Sequence, residues 1–307
     1  MKHLLLLFLA SIIWGLALVA QKAGMEFIGP FAFNGIRFSL GAISLLPLLL
    51  FQKYFTSNSS NNLSKSFTIK GGLIMGIVLF IAASLQQVGI VQSTAGNAGF
   101  ITSLYIIIVP FIGIFLKHKI RNEVWLGAIF AIIGLYFLSI NDQLQMAEGD
   151  SLVLFSAIFW AIHIVLIGYY APKANILLLS IIQFTVSAVL NLIVAFIFET
   201  IEWQMISDAL YPILYGGIMS IGVAYTLQIF GQKNVAPSKA AIILSFESVF
   251  AMFGSWLILN EIIDLRKRMG AGIMLVGLIV SQVKFKRRNK IRTQTQNNKP
   301  HKTHKIQ

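Results

Sequence analysis

The chain has 307 residues, of which 57% are hydrophobic and only 11% charged, with a formal net charge of +13. A water-soluble fold carries roughly 25% charged residues and needs them to cover its surface, so a soluble enzyme, a disordered chain and a fibrous repeat are excluded. There are no cysteines, which removes disulfides, thiolate metal sites and cysteine nucleophiles.

A membrane-crossing helix needs about 20 mostly apolar residues. In chain order the sequence predicts ten such spans, at 4–24, 31–52, 71–91, 96–116, 122–140, 151–170, 176–198, 208–230, 237–258 and 267–284. The apolar runs are continuous, as in Leu73–Ala83 and Ile101–Leu116; a transmembrane barrel would instead show short alternating segments. The first span reads as a retained anchor. Its apolar run, Leu4–Ala20, is longer than the h-region of a cleaved leader, and Leu18 stands where a small residue is wanted.

Lys and Arg orient the spans. With the N-terminus in the cytosol, nineteen of the 24 fall inside, Lys22, Arg266, Lys267 and Arg268 fall outside, and Arg37 lies within the membrane. The Arg266–Arg268 cluster breaks the rule, and nothing in the sequence accounts for it. Both termini are therefore expected in the cytosol, with the chain multi-pass in the cell (plasma or inner) membrane. From Lys284 onward the chain is a basic tail, read as a disordered cytosolic anchor in contact with anionic lipid and not as a nucleic-acid binder. Two glycosylation sequons, at Asn58 and Asn62, fall on the inner side, where no sugar is expected.

The chain also repeats itself. At an interval of 142 residues Gln86 matches Gln228, Ser103 matches Ser245, and Tyr105 stands opposite Glu247; earlier, Trp14 resembles Trp160 at an interval of 146. Each half holds five predicted spans. An odd number makes the second half enter the membrane from the opposite side, so the expected architecture is all-α, with ten transmembrane helices in two inverted five-helix repeats. The expected units are 1–142, 143–283 and the tail 284–307. In that architecture the solute site lies near the midplane, where the repeats meet.

Particular residues carry a family likeness. In the first half these are Leu85-Gln86-Gln87-Val88-Gly89, the run Ser93–Phe100, Thr102-Ser103-Leu104-Tyr105 and Val109-Pro110. In the second they are Ala224-Tyr225-Thr226-Leu227-Gln228, Gln232-Lys233, Pro237–Ala241 and Leu244–Phe250, with Glu261 beyond the span. Over about residues 4–283 the chain resembles the EamA-type branch of the drug/metabolite transporter superfamily. The resemblance implies a ten-helix permease for small organic solutes, often amino acids and other metabolites. Lys117-His118-Lys119 stands where the family commonly has an acidic residue.

Polar groups inside a span are costly and point to function. Glu247 lies about 15 Å into the ninth span by helical rise, and is read as a site for a substrate cation or a proton, or as a carboxyl group locking two helices. His163 sits at similar depth in the sixth span, as a proton carrier if it meets Glu247 or as a helix–helix hydrogen bonder. Tyr105, as the counterpart of Glu247, is expected to line the same site. Gln86 and Gln228, near opposite ends of their spans, are read as vestibule linings or interhelical hydrogen bonders. Trp14 and Trp160 are read as cavity walls or as packing. Arg37 either attracts an anionic group such as a substrate carboxylate or snorkels to the headgroups. Asn97, Thr102, Gln183, Asn191 and Tyr225 are secondary candidates, and Gly127, Gly134, Gly270 and Gly277 are expected to bring helices close.

No enzyme signature is present: no His-Glu-x-x-His helix, no nucleophile elbow and no phosphate-binding loop. The expectation is a gradient-driven transporter of a small organic solute, with no cofactor beyond coupled protons, and with a small-molecule substrate and the lipid bilayer as partners. The repeat makes a monomer sufficient. A membrane-embedded enzyme acting on lipid-linked substrates and a non-transporting structural membrane protein are the alternatives.

Overall fold

A computed structural model describes residues 2–55, 64–117, 119–139, 148–259 and 265–282. The sequons, Asp142, Glu261 and the basic tail lie outside the described residues.

Every element among the described residues is helical. α1 runs Lys2–Gly24, α2 Pro30–Phe55, α3 Lys65–Val91, α4 Ala95–Ser103, α5 Tyr105–Phe115, α6 Asn122–Ser139 and α7 Asp150–Tyr170. After a 3-10 turn come α8 Ile176–Phe198, α9 Trp203–Asp208 and α10 Leu210–Leu214, then a π-helical stretch Tyr215–Tyr225. The chain ends with α11 Thr226–Gln232, α12 Pro237–Leu244, α13 Glu247–Leu259 and α14 Leu265–Gln282.

Eight of the ten predicted spans are helices long and apolar enough to cross a membrane. The fifth and tenth correspond to α6 and α14, whose apolar stretches among the described residues are Asn122–Gly134 and Arg268–Ser281. Three further spans are less regular than the sequence predicts. The fourth breaks between α4 and α5, the ninth between α12 and α13, and the eighth is assembled from α10, the π stretch and α11. Hydropathy reports length and composition, not whether the backbone keeps its hydrogen-bond register.

The polarity of the bundle is inverted relative to a soluble protein. Phe115, Phe196, Phe198 and Leu257 are exposed, while Asn34, Gln87, His163, Gln183 and Asn191 are buried. That distribution suits a hydrocarbon solvent: apolar side chains need no shielding there, and polar groups must find partners within the protein.

Hydrogen bonds at the helix ends show which way each helix runs. At one end of the bundle His3 Nδ1 meets the Phe230 carbonyl at 3.2 Å, and the Asn175 N–H donates to Thr68 Oγ1 at 3.3 Å. At the other end Lys22 Nζ donates to the Ile90 and Val91 carbonyls, both at 3.1 Å, and Ser93 Oγ donates to Asp150. There too the Glu199 carboxylate accepts the N–H groups of Phe31 and Ala32, at 2.9 and 2.8 Å, satisfying donors that the first turn of α2 cannot use itself. So α1, α3 and α8 start at the first end, and α2 and α7 at the second.

Packing follows the same exchange. α3 lies against α7 and α8, while the π stretch and α11 lie against α1 and α2; α13 lies on α1, while α4 and α5 lie on α7. Small residues set the close approaches. A Cβ on Gly127 would stand 2.7 Å from the Gly277 carbonyl, and one on Gly134 would stand 2.6 Å from the Gly270 carbonyl. The expected contact of these glycines thus brings α6 and α14 together.

Candidate functional site: a polar cavity between the halves

Two helix breaks build the site. The chain turns at Leu104, where its N–H bonds the Ile101 carbonyl, and again at Ser245-Phe246, where the Phe246 N–H bonds the Ile243 carbonyl. The hydroxyls of Ser245 and Ser248 return to the Ile242 and Ser245 carbonyls, at 2.9 and 2.7 Å, and occupy acceptors near the second break. Each break makes the next key residue the first of a new helix: Tyr105 opens α5 and Glu247 opens α13. α1 then comes close because position 15 is glycine. A Cβ there would be 2.6 Å from the Glu247 carbonyl and 2.3 Å from Phe250 Cβ.

These elements line a single cavity. Its ionisable and hydroxyl-bearing lining is Arg37, Tyr105, Tyr225 and Glu247; its amides are Gln21, Gln86 and Gln228; its indoles are Trp14 and Trp160. Thr102, Ser220 and the aliphatic Leu18, Ile164 and Leu244 complete it.

Tyr105 Oη donates to Glu247 Oε1 at 3.0 Å, with both side chains buried. Arg37 is only 3% exposed, so it does not snorkel. Its Nε donates to Asn34 Oδ1 at 2.9 Å, and its guanidinium lies over Phe33 and Phe38, 5.4 and 5.3 Å from their ring centres. Asn34 is held in turn through the Ala83 carbonyl at 3.1 Å. Arg37 and Glu247 share a cavity, yet no ion pair within 4 Å joins them.

The aromatic wall centres on Tyr225, the last residue of the π stretch. Its ring meets Trp14 edge-on at 4.7 Å and Trp160 at 6.2 Å. Trp14 Nε1 donates to the Ser220 carbonyl at 3.3 Å. The π-helical stretch is 11 residues long, and its Ser220 and Tyr225 line the cavity.

The two glutamines differ. Gln86 Nε2 donates to Thr102 Oγ1 at 2.8 Å. At the same interval of 142 residues Leu244 stands where Thr102 does, and Gln228 Oε1 is buried with no partner. Gln86 is held by the protein, and Gln228 presents an open acceptor at the cavity.

All the primary candidates from the sequence line this cavity except His163. His163 is fully buried, with Nε2 2.8 Å from Gln183 Oε1. It does not meet Glu247, whose partner is Tyr105; its ring stands behind those of Trp160 and Tyr225, 6.1 Å from each. Of the secondary candidates, Thr102 and Tyr225 reach the cavity, whereas Asn191 joins α8 to α3 through Ser84 at 3.0 Å. The side chain of Asn97 lies outside the described residues. Gln21 and Ser220 were missed. Gln21 beside Lys22 reads as the polar end of a span, and a lone serine carries no signal.

Comparison with known proteins follows the same lines. The model of the EamA-like transporter family matches residues 1–140 and 147–282. An uncharacterized transporter of Archaeoglobus fulgidus is 31% identical over 273 residues, covering 89% of this chain and 83% of that one. The uncharacterized transporter YoaV of Bacillus subtilis is 28% identical over 91% of this chain and 96% of its own length. A solved crystal structure shares the fold, with a TM-score of 0.74 at 17% identity over 91% of this chain and 95% of that one. The chain is a multi-pass membrane protein and belongs to the EamA-like transporter family.

Proposed function

We propose that the protein is a gradient-driven transporter that moves a small zwitterionic solute, of the amino-acid class, by alternating access through this cavity. The observation that carries the reading is the pair Arg37 and Glu247, both buried on one cavity and not paired with each other. A solute bearing a carboxylate and an ammonium group complements both. The planar guanidinium suits the carboxylate. Glu247, with the faces of Trp14, Trp160 and Tyr225 nearby, suits the ammonium group.

Alternating access draws on two inverted five-helix repeats, 1–142 and 143–283, with α6 and α14 as the fifth helix of each. Support comes from the opposed starting ends of α2 and α8 and of α1 and α7, and from the exchanged packing of α3 and α11. Two near-equivalent halves have two near-equivalent packings, one open to each side. Both termini are placed in the cytosol by the Lys and Arg distribution.

The test is uptake and efflux by the purified chain in liposomes. Labelled amino acids, amines and nucleosides are presented with and without a proton gradient. Amino acids are expected to cross at least tenfold faster than through empty liposomes, and the matching amines, lacking the carboxylate, to cross far more slowly. Absence of movement for every amino acid would overturn the reading.

A further inference from the structure

We infer that His163, Gln183 and Ser180 form a second station for the solute's carboxylate, the counterpart of Asn34 and Arg37, entered from the opposite face of the membrane. The inference rests on the transport reading above.

The interval of 146 residues that relates Trp14 to Trp160 also relates Asn34 to Ser180, Arg37 to Gln183 and Phe38 to Phe184. The correspondence is spatial as well. α2 and α8 pack against each other with the end of α8 over the start of α2, and the Phe38 and Phe184 rings meet at 6.3 Å where they cross. Arg37 stands seven residues after Pro30, and Gln183 seven after Ile176. By helical rise each lies about 10 Å along its helix, measured from opposite ends of the bundle.

The second station is rich in unsatisfied donors. Four buried polar atoms there have no partner: His163 Nδ1, Gln183 Nε2, Ser180 Oγ and Trp160 Nε1. The 2.8 Å contact of His163 Nε2 with Gln183 Oε1 makes Nε2 the donor and Nδ1 an acceptor, so Nδ1 takes no part in holding a carboxylate. That leaves the Gln183 amide N–H, the Ser180 hydroxyl and the Trp160 indole N–H as three open donors. A carboxylate, an acceptor with about four lone-pair sites, uses such donors; an ammonium group does not. Trp160 belongs to both places, since its ring lines the present cavity while its indole nitrogen is buried and unused. With Tyr225 it screens the second station from the cavity. When the halves exchange packing, the solute's carboxylate passes from the guanidinium of Arg37 to these neutral donors, which hold it less tightly and favour release.

The test measures half-saturation from each face separately, in oriented proteoliposomes of the full chain, with a mixture of labelled amino acids as the probe. Gln183→Leu is expected to raise it about tenfold from the face where α8 starts and less than twofold from the face where α2 starts; Arg37→Gln is expected to do the reverse. Equal effects from both faces, or none from the face where α8 starts, would overturn the second station while leaving the transport reading intact. If the wild-type chain moves no amino acid, the transport reading fails and the station with it. Because the chain has no cysteine, Ser180→Cys adds a reporter independent of turnover. A membrane-impermeant maleimide is expected to label it from the face where α8 starts, and the amino-acid mixture to slow labelling severalfold while decarboxylated amines do not. Absence of labelling from that face, or labelling indifferent to amino acids, would overturn the station.

Discussion

Tyr105 Oη donates to Glu247 Oε1 at 3.0 Å across 142 residues of chain, the same interval that separates Gln86 from Gln228 and Ser103 from Ser245. Residues from two separate stretches matched by the one family model thus meet at the cavity. One supplies a donor and the other an acceptor, so the two positions are chemically unlike.

Removing the Tyr105 hydroxyl keeps the ring and leaves Glu247 Oε1 without this donor. Tyr105→Phe is expected to destabilise the purified protein by about 1–3 kcal/mol, the usual cost of orphaning a buried acceptor, measured by thermal unfolding in detergent. Glu247→Gln keeps an oxygen for Tyr105 and is expected to unfold within a few degrees of wild type while amino-acid transport falls at least tenfold. Full transport with unchanged pH dependence would show that the carboxylate has no role.

The glutamine pair separates structure from binding. Gln86→Leu leaves Thr102 without its 2.8 Å partner and is expected to lower stability by about 1 kcal/mol. Gln228→Leu removes an acceptor that is already unpartnered. It is expected to leave thermal stability unchanged or raised, and to weaken transport severalfold. Unfolding curves and initial rates on the two variants check both halves of the prediction.

The Glu199 carboxylate caps α2 from the end of α8. Glu199→Ala is expected to destabilise by about 1–2 kcal/mol, as loss of a capping acceptor does. Because the capped turn lies seven residues before Arg37, hydrogen exchange of the first turn of α2 should quicken in the same variant. Unchanged exchange there would show that the cap is redundant.

Two glycines on α14 make a paired comparison. A Cβ on Gly277 would meet the Gly127 carbonyl at 2.7 Å and the Ala131 nitrogen at 3.0 Å, whereas Gly272 has nothing within 4 Å. Gly277→Ala is expected to force α6 and α14 apart at a cost of about 1–3 kcal/mol. Gly272→Ala is expected to be neutral or to stabilise by up to about 1 kcal/mol through helix propensity. Melting temperatures of the two variants decide it.

How much of this was legible beforehand depends on the residue. Glu247, Tyr105 and Gln228 stand out in sequence because polar groups in apolar spans are rare and these recur at matched places. His163 stands out equally, yet Gln183 and not Glu247 is its partner, since spacing along one helix does not say which neighbour a side chain meets. Gln21 escaped notice because a polar residue at a span end is ordinary.

The sequence alone determined that this chain lives in a bilayer, is helical, and carries a few polar groups deep in apolar surroundings. Those properties are set by composition and periodicity, which are additive along the chain. The tertiary structure decided which polar groups converge, that two helices break and one winds wider, and that Arg37 and Glu247 share a cavity unpaired. These depend on how helices from both halves pack, a property of residue pairs far apart in the chain.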